Sequence, residues 1–518
     1  MRQRQLSTLV AGFTLAVAGA SGAQALPSPA RPAEVAQPPA AAAALAPAAA
    51  PAATPLRLGP PSDHAAYFRA ALEVVAVLGI GTAQYWIAAA NNQRDWDFPR
   101  WSERLSDVNV RFDNNTQVTN NLLHPLAGAA YYGLSRANGL SIGESVLYAQ
   151  LASAIWEVGL EWREKVSIND MIVTTAGGTG VGECLVQLAA YLNSAPDGGA
   201  WPQDVAAATL GFPVWVHDEL DDRQADPRPA KDALGFSAAY QHRFTLELQN
   251  SWLDDAAGLE QQLFGVRLDV QLSSLPGFLA PRTFSTWFAG GNFSAMSLEL
   301  GFDHEGVAST DVEFDAVLAG HYAQWVGRYT TGLMAGVGTG LEFVDRDTLA
   351  DPDQYALAHF AGPSLALLWG GDALGVTLAS RFYGDFASIH SLAWPRVFAA
   401  DPSATYKSAL ERGYQYHLGV SNRWYLELRF HALRISGEYT WGRYRSIEGL
   451  DRFQEEITRD LEGSEAIDER RVTFALEPQG VLLRVYAGLE RSSHQSQLGP
   501  EVAGRLERRF VAGGGLAF

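Results

Sequence analysis

The sequence predicts an α+β chain: an N-terminal helical domain, then an antiparallel transmembrane β-barrel of about twelve strands. Three observations carry this. From about Phe236 onward, apolar and polar residues alternate with period two, the pattern of strands with two unlike faces. Over the last seven of these segments the links alternate between long polar stretches and tight turns, the asymmetry of a membrane barrel. Before Phe236 the apolar spacing is helical, and small-residue and capping patterns mark separate helices.

At 518 residues the chain has room for two or three domains. A net charge of −19 argues against a nucleic-acid partner, which needs a basic surface. The single cysteine, Cys184, excludes an intramolecular disulfide and CxxC metal sites. Mean hydropathy is near zero, which is compatible with a barrel because only alternate strand residues face lipid.

Residues 1–25 read as a signal peptide: Arg2 and Arg4, an apolar run from Leu6 to Ala20, then Ala23-Gln24-Ala25. Residues 26–60 are almost all Ala and Pro, a composition that spaces rather than packs. Residues 61–200 are expected to form the helical domain. Val74–Ala90 is strongly apolar and is read as a helix buried in protein rather than an inner-membrane span. His124-Pro125 opens a helix to about Ala137, with Pro in the first turn. Ser141-Ile142-Gly143-Glu144 is a capping box for the next helix. Ser167–Asp170 caps a third, which Gly177-Gly178-Thr179-Gly180 is expected to end. A fourth then runs from Gly182-Glu183 to about Asn193. Residues 201–235 read as a linker.

The segments HPLAGAAYYGLSRANGLSIGES and SAIWEVGLEWREKVSINDMIVTTAGGTGVGE resemble the bacterial family called domain of unknown function 3943, over roughly residues 100–195. The matching positions are His124, Gly128, Tyr132, Arg136, Trp156, Glu157, Glu161, Ser167, Asp170, Gly178, Gly182 and Glu183. The resemblance implies an envelope protein and supplies no reaction.

The barrel is expected over 236–518, with strands near 236–250, 261–274, 290–303, 307–322, 328–344, 355–370, 373–390, 413–430, 432–446, 469–477, 481–491 and 505–518. The last, RLERRFVAGGGLAF, ends on Phe518 and resembles the closing strand of bacterial outer-membrane barrels. That resemblance implies recognition by the barrel-insertion machinery through Phe518. Residues 345–354, 391–412, 447–468 and 492–504 read as long links. An even strand count leaves both barrel ends on the periplasmic side.

Two groups of residues could carry chemistry. Alternation points Arg267, Asp269, Glu299, Glu313, Glu427, Arg429, Arg434, Glu438, Arg484 and Arg509 into the lumen. They could form a structural ion-pair network or a selective polar pathway. His124, Glu157, Glu161, Asp170 and Glu183 are candidate acid–base residues. No HExxH or ExxH spacing supports a metal, and Glu183 near a helix start also suits the helix dipole. The glycine run lacks the Lys-Ser/Thr of a phosphate loop, and no nucleophile elbow stands out. No cofactor is expected.

These readings converge on an outer-membrane protein of a Gram-negative bacterium, in contact with outer-membrane lipid. Its helical domain is expected on the periplasmic side, docking under the barrel, or inside it as a plug. The expected role is structural or transport-related. The alternative is a membrane-embedded enzyme acting on envelope lipid through His124 and nearby carboxylates.

Overall fold

A computed structural model describes residues 66–88, 97–106, 109–113, 115–195, 201–221, 231–349, 352–371, 373–402, 413–447, 461–478 and 481–518. The expected signal peptide and the Ala/Pro segment lie outside the described residues.

Period-two alternation gives twelve antiparallel barrel strands: β1 (Gln241–Asp255), β2 (Glu260–Ser273), β3 (Phe293–Phe302), β4 (Val307–Val326), β5 (Thr330–Arg346), β6 (Asp353–Gly370), β7 (Leu374–His390), β8 (Tyr414–Phe430), β9 (Leu433–Ser446), β10 (Gly463–Leu476), β11 (Leu483–Leu498) and β12 (Glu501–Ala517). Each pairs with the next, and β12 closes on β1 through Phe510↔Trp252 and Leu516↔Leu246. At the seam the Phe518 amide donates to the Phe244 carbonyl at 2.9 Å. Closure leaves none of these twelve strands as a free edge. A short strand, Phe284–Phe288, pairs with the second half of β4 beside β3.

One barrel end carries the tight links 327–329, 371–373 and 431–432 and both barrel termini; this is the turn end. The opposite, loop end carries the long links 391–413 and 447–462. The expected long link at 492–504 is not there. β11 and β12 run through it to a tight turn at Gly499, where φ is +56°. Its polar residues are strand residues: Ser496 and His494 point inward and are buried, while Gln495 and Gln497 point outward and are exposed.

Four long helices form the N-terminal bundle: α1 (Tyr67–Ala88), α2 (His124–Ala137), α3 (Ile142–Ile155) and α4 (Ile168–Leu192). Ser141 and Glu144 cap α3 reciprocally, as its sequence predicts. The stretch read as a linker holds two short helices, α5 (Trp201–Thr209) and α6 (Phe212–Leu220). Their apolar residues, among them Ala206 and Val214, pack on Leu188, Ala189 and Leu192 of α4. Asp221 after α6 holds Arg69 of α1 at 2.6 Å.

The third and fourth helices of the sequence reading are one 25-residue helix. Gly177, Gly178, Gly180 and Gly182 do not end it. A Cβ at Gly178 would lie 2.7 Å from the Gly128 Cα, one at Gly180 2.6 Å from the Gly340 Cα, and one at Gly182 2.7 Å from the Tyr132 ring. Glycine is required because α4 lies backbone to backbone against α2 on one side and against β5 on the other. Glycine costs a helix about 1 kcal/mol per residue against alanine, so its use here must be offset by close packing.

The bundle neither plugs the barrel nor docks beneath it; it packs on the outer wall. Glu342 points into the lumen, 3.0 Å from Arg423. Leu341, its neighbour, therefore faces outward, and it packs with Ala129, Val173 and Val181 of the helices. The same outer surface supplies Ala358, Phe386, Tyr414 and Tyr416. Farther along, Leu188, Tyr191 and Leu192 meet the outward residues Val270 and Leu272. α4 thus crosses from the loop end of β8 to the turn end of β1 and β2. The plug expectation fails because the helices' inner surface is small and apolar, matching the barrel's exterior, whereas the lumen is charged.

The wall bends where α4 crosses it. Register shifts interrupt the pairing at Val317/Ala319, Gly338/Gly340 and Arg381/Asp385, on adjacent strands. Such bulges kink strands locally. On the far side of the bundle, Phe68, Leu72, Val75, Ile80 and Ile87 of α1 are exposed, as are Leu147, Leu151 and Ile155 of α3. α1 is therefore not buried in protein as expected. Tyr67–Ile87 is long and apolar enough to cross a membrane, with only 17% of that stretch buried.

Candidate functional site

The lumen is filled by its own side chains. Arg346 of β5 reaches Glu469 of β10 across the barrel at 2.8 Å. Arg423 binds Glu342 at 3.0 Å and Glu438 at 3.2 Å, and also Glu313. Arg267 binds Asp269 at 2.9 Å and Glu299 at 3.0 Å, and Arg509 joins the same Glu299. Arg434 binds Glu427 at 2.7 Å and Arg484 binds Glu247 at 2.8 Å. Arg429 donates to the Gly371 carbonyl at 2.7 Å. Two cavities among these groups measure about 100 and 130 Å³. Both are small and lined mainly by the charged groups named above.

Buried side chains also crowd both ends of the lumen. Val344, Tyr355, Leu357, Ile389 and Tyr444 form an inward apolar layer toward the loop end. There His494 is clamped between Asp353 at 2.8 Å and Glu465 at 3.0 Å, tying β6, β10 and β11 together. At the turn end the segment between β2 and β3 folds in, packing Leu275, Phe278 and Phe288 on Tyr322.

A second polar cluster forms where the bundle meets the loop end of β8. Val110–Arg111 pairs in parallel with Val166–Ser167, which brings Asp113 beside the start of α4. The Asn169 side-chain amide donates to Asp113 at 2.9 Å, to Asp170 at 2.7 Å and to the Tyr416 hydroxyl at 2.9 Å. Asn120, on the π-helical turn Thr119–Leu123, donates to Asp113 and to the Tyr416 hydroxyl at 2.8 Å. Tyr414 donates to the Asn115 carbonyl at 2.6 Å. His124 Nε2 lies 3.8 Å from Asp170. Glu157, in a second π-helical turn at Trp156–Leu160, accepts the Ser167 amide at 3.2 Å. Buried Arg104 closes that turn by donating to the carbonyls of Val158 at 3.0 Å and Trp162 at 2.7 Å.

Of the sequence candidates, His124, Glu157 and Asp170 converge here, with Glu161 in the adjacent connection. Glu183 does not. It sits farther along α4, where Arg136 binds it at 2.9 Å, Tyr132 donates at 2.5 Å and Gln187 at 2.7 Å. Gln187 also accepts from Ser274 of the barrel at 3.0 Å, so this group pins the bundle to the wall. Asp113, Asn120, Asn169, Tyr414 and Tyr416 escaped the sequence reading. The Asn pairs before His124 were a usable signal; Tyr416 occupies a position where an outward aromatic residue predicts lipid contact. Among the described residues no group of three or more His, Cys, Asp or Glu is arranged to hold a metal.

Helices α2 to α5, and Asp113, Asn120, His124, Glu157, Asn169 and Asp170 of the polar cluster, fall within one recognised segment. Residues 109–212 match the family model described as Domain of unknown function (DUF3943). No curated protein matches the chain. Among solved structures, the chain is similar to the NanC porin, at 10% identity and TM-score 0.25 over 52% of this chain and 98% of that one. It is also similar to the translocator domain of autotransporter NalP from Neisseria meningitidis, at 12% identity and TM-score 0.18 over 52% and 87%. A Pseudomonas aeruginosa FadL homologue gives 8% identity and TM-score 0.22 over 55% and 91%. At these scores the similarities carry no argument, and the barrel rests on its own register. The DUF3943 segment supplies the bundle residues of the polar cluster other than Arg104, and Tyr132, Arg136, Glu183 and Gln187 of the Glu183 group.

Proposed function

We propose that the protein is an outer-membrane barrel with a structural role: a closed anchor that holds the DUF3943 bundle beside it in the bilayer. The observation that carries this is the pairing of a filled, ion-paired lumen with an apolar outer wall on which helices are packed. An apolar exterior on a closed barrel fits lipid, since barrels and helices are the forms that satisfy every backbone group there. A 25-residue helix is about 37 Å long, enough to cross a hydrocarbon core of about 30 Å with some tilt. The exposed apolar faces of α1 and α3 then meet lipid. The tight links 327–329, 371–373 and 431–432 support a turn end that faces the periplasm. Phe518, paired with Phe244 at the seam, is where the insertion machinery would engage the closing strand.

A closed barrel should pass no ions. Purified protein in planar bilayers is expected to give no conductance steps. A steady conductance from the intact protein would contradict the anchor reading and favour solute passage. The outer-membrane location is checked separately, by fractionation and heat-modifiable migration on gels.

A further inference from the structure

We propose that outward arginines on β9 to β12 form a binding site for the phosphates of a bisphosphorylated disaccharide glycolipid in the outer leaflet. The site rests on the outer-membrane reading, with the loop end facing out. Register fixes the direction of each side chain. Arg471, Glu490 and Arg509 face inward: Arg471 binds Glu490 at 2.7 Å, and Arg509 binds Glu490 and Glu299. Their neighbours Arg470, Arg491 and Arg508 therefore face outward, and all three are exposed. They are direct cross-strand partners, Arg470↔Arg491 and Arg491↔Arg508.

Like charges directly opposite each other destabilise a sheet. Among the described residues, Asp254 is the only carboxylate within ion-pairing distance of this row, 3.7 Å from Arg508 at its far end. Arg470 lies over the Tyr439 ring at 5.2 Å. Among the described residues Arg491 has no carboxylate partner. In a chain of net charge −19, a row of three opposed arginines is an arrangement that an anion would stabilise.

The row sits at a boundary. On its turn-end side the same outward faces are apolar: Val472 and Phe474 on β10, Leu489 on β11, Phe510 on β12. On its loop-end side come Trp441 and Asp468, then Arg443 and Arg445, both exposed. Asp468 orients Arg443 at 2.9 Å. Arg443 and Arg445 border an outer groove of about 680 Å³ shared with Gln495 and Gln497. Arg443 pairs with Ala466, four residues from Arg470, so the two arginine groups stand about 13 Å apart along the strand. Two cationic stations above an acyl-compatible face match a lipid with phosphates at opposite ends of a disaccharide. Arginine suits this role, since its planar fork binds phosphate with two hydrogen bonds.

The test uses full-length protein in detergent micelles, with bound lipid counted by native mass spectrometry. Probes are bisphosphorylated lipid A, its monophosphoryl form and phosphatidylglycerol. The bisphosphorylated form should be retained most strongly. The triple variant R470Q/R491Q/R508Q should lose about tenfold or more in retention, as loss of charge-assisted hydrogen bonds predicts. Its barrel should still show heat-modifiable migration, because all three side chains are exposed. Equal retention by a folded triple variant overturns the site, and so does stronger retention of phosphatidylglycerol. A protein that stays soluble without detergent would instead overturn the membrane reading, and the site with it.

Discussion

Replacing Gly180 by leucine should strip the helical bundle from the barrel wall. A Cβ at 180 would lie 2.6 Å from the Gly340 Cα and 2.8 Å from its carbonyl carbon. Backbone cannot rotate aside as a side chain can. Overpacking costs about 1–3 kcal/mol where neighbours yield, and more where they do not. Gly178→Leu should act similarly on the α2–α4 contact, where a Cβ would lie 2.7 Å from the Gly128 Cα. In both variants the barrel should still migrate as a heat-modifiable band, while protease cuts within α4. Gly79→Leu is the control, since nothing lies within 4 Å of its Cβ position. Equal protease sensitivity in the control would mean that these contacts do not hold the bundle in place.

Removing one partner of the Arg136–Glu183 pair should be the most damaging change within the bundle. Glu183 is fully buried, and Arg136 is 9% exposed. Arg136→Met leaves the Glu183 carboxylate with Tyr132 and Gln187 as donors but no cation. Glu183→Met leaves the guanidinium with the Leu140 carbonyl at 2.9 Å. Each single change should cost about 3–5 kcal/mol, the usual penalty for a stranded buried charge. The double change should cost less than the sum, since two methionines strand nothing. The check is denaturant unfolding of the four proteins in one detergent. Single variants within about 1 kcal/mol of the parent would show that water reaches the pair.

The barrel was legible because period two survives over long strands, and inward charges such as Arg267 and Glu299 mark the register. The 492–504 strands were missed because beyond the apolar band both faces turn polar, as at His494 and Gln495. The glycine run was misread because local sequence cannot separate a glycine that ends a helix from one that permits contact. The place of the bundle was misread for a related reason. It is α4, with its small and apolar surface, that makes the contact, and that surface matches the barrel's outside rather than its charged lumen. His124, Glu157 and Asp170 could be gathered from sequence, but Tyr416 could not, because it arrives from a strand 246 residues after Asp170.

The central claim is that the bundle lies against the outside of the barrel, within lipid. Ile80 is near the middle of α1 and is 70% exposed, and the native Cys184 is fully buried. A fluorophore on Ile80→Cys in protein reconstituted into vesicles reports its surroundings directly. Strong quenching by lipids brominated along the acyl chain, with little quenching by aqueous iodide, is the expected result. Quenching by iodide without quenching by brominated lipid would contradict it.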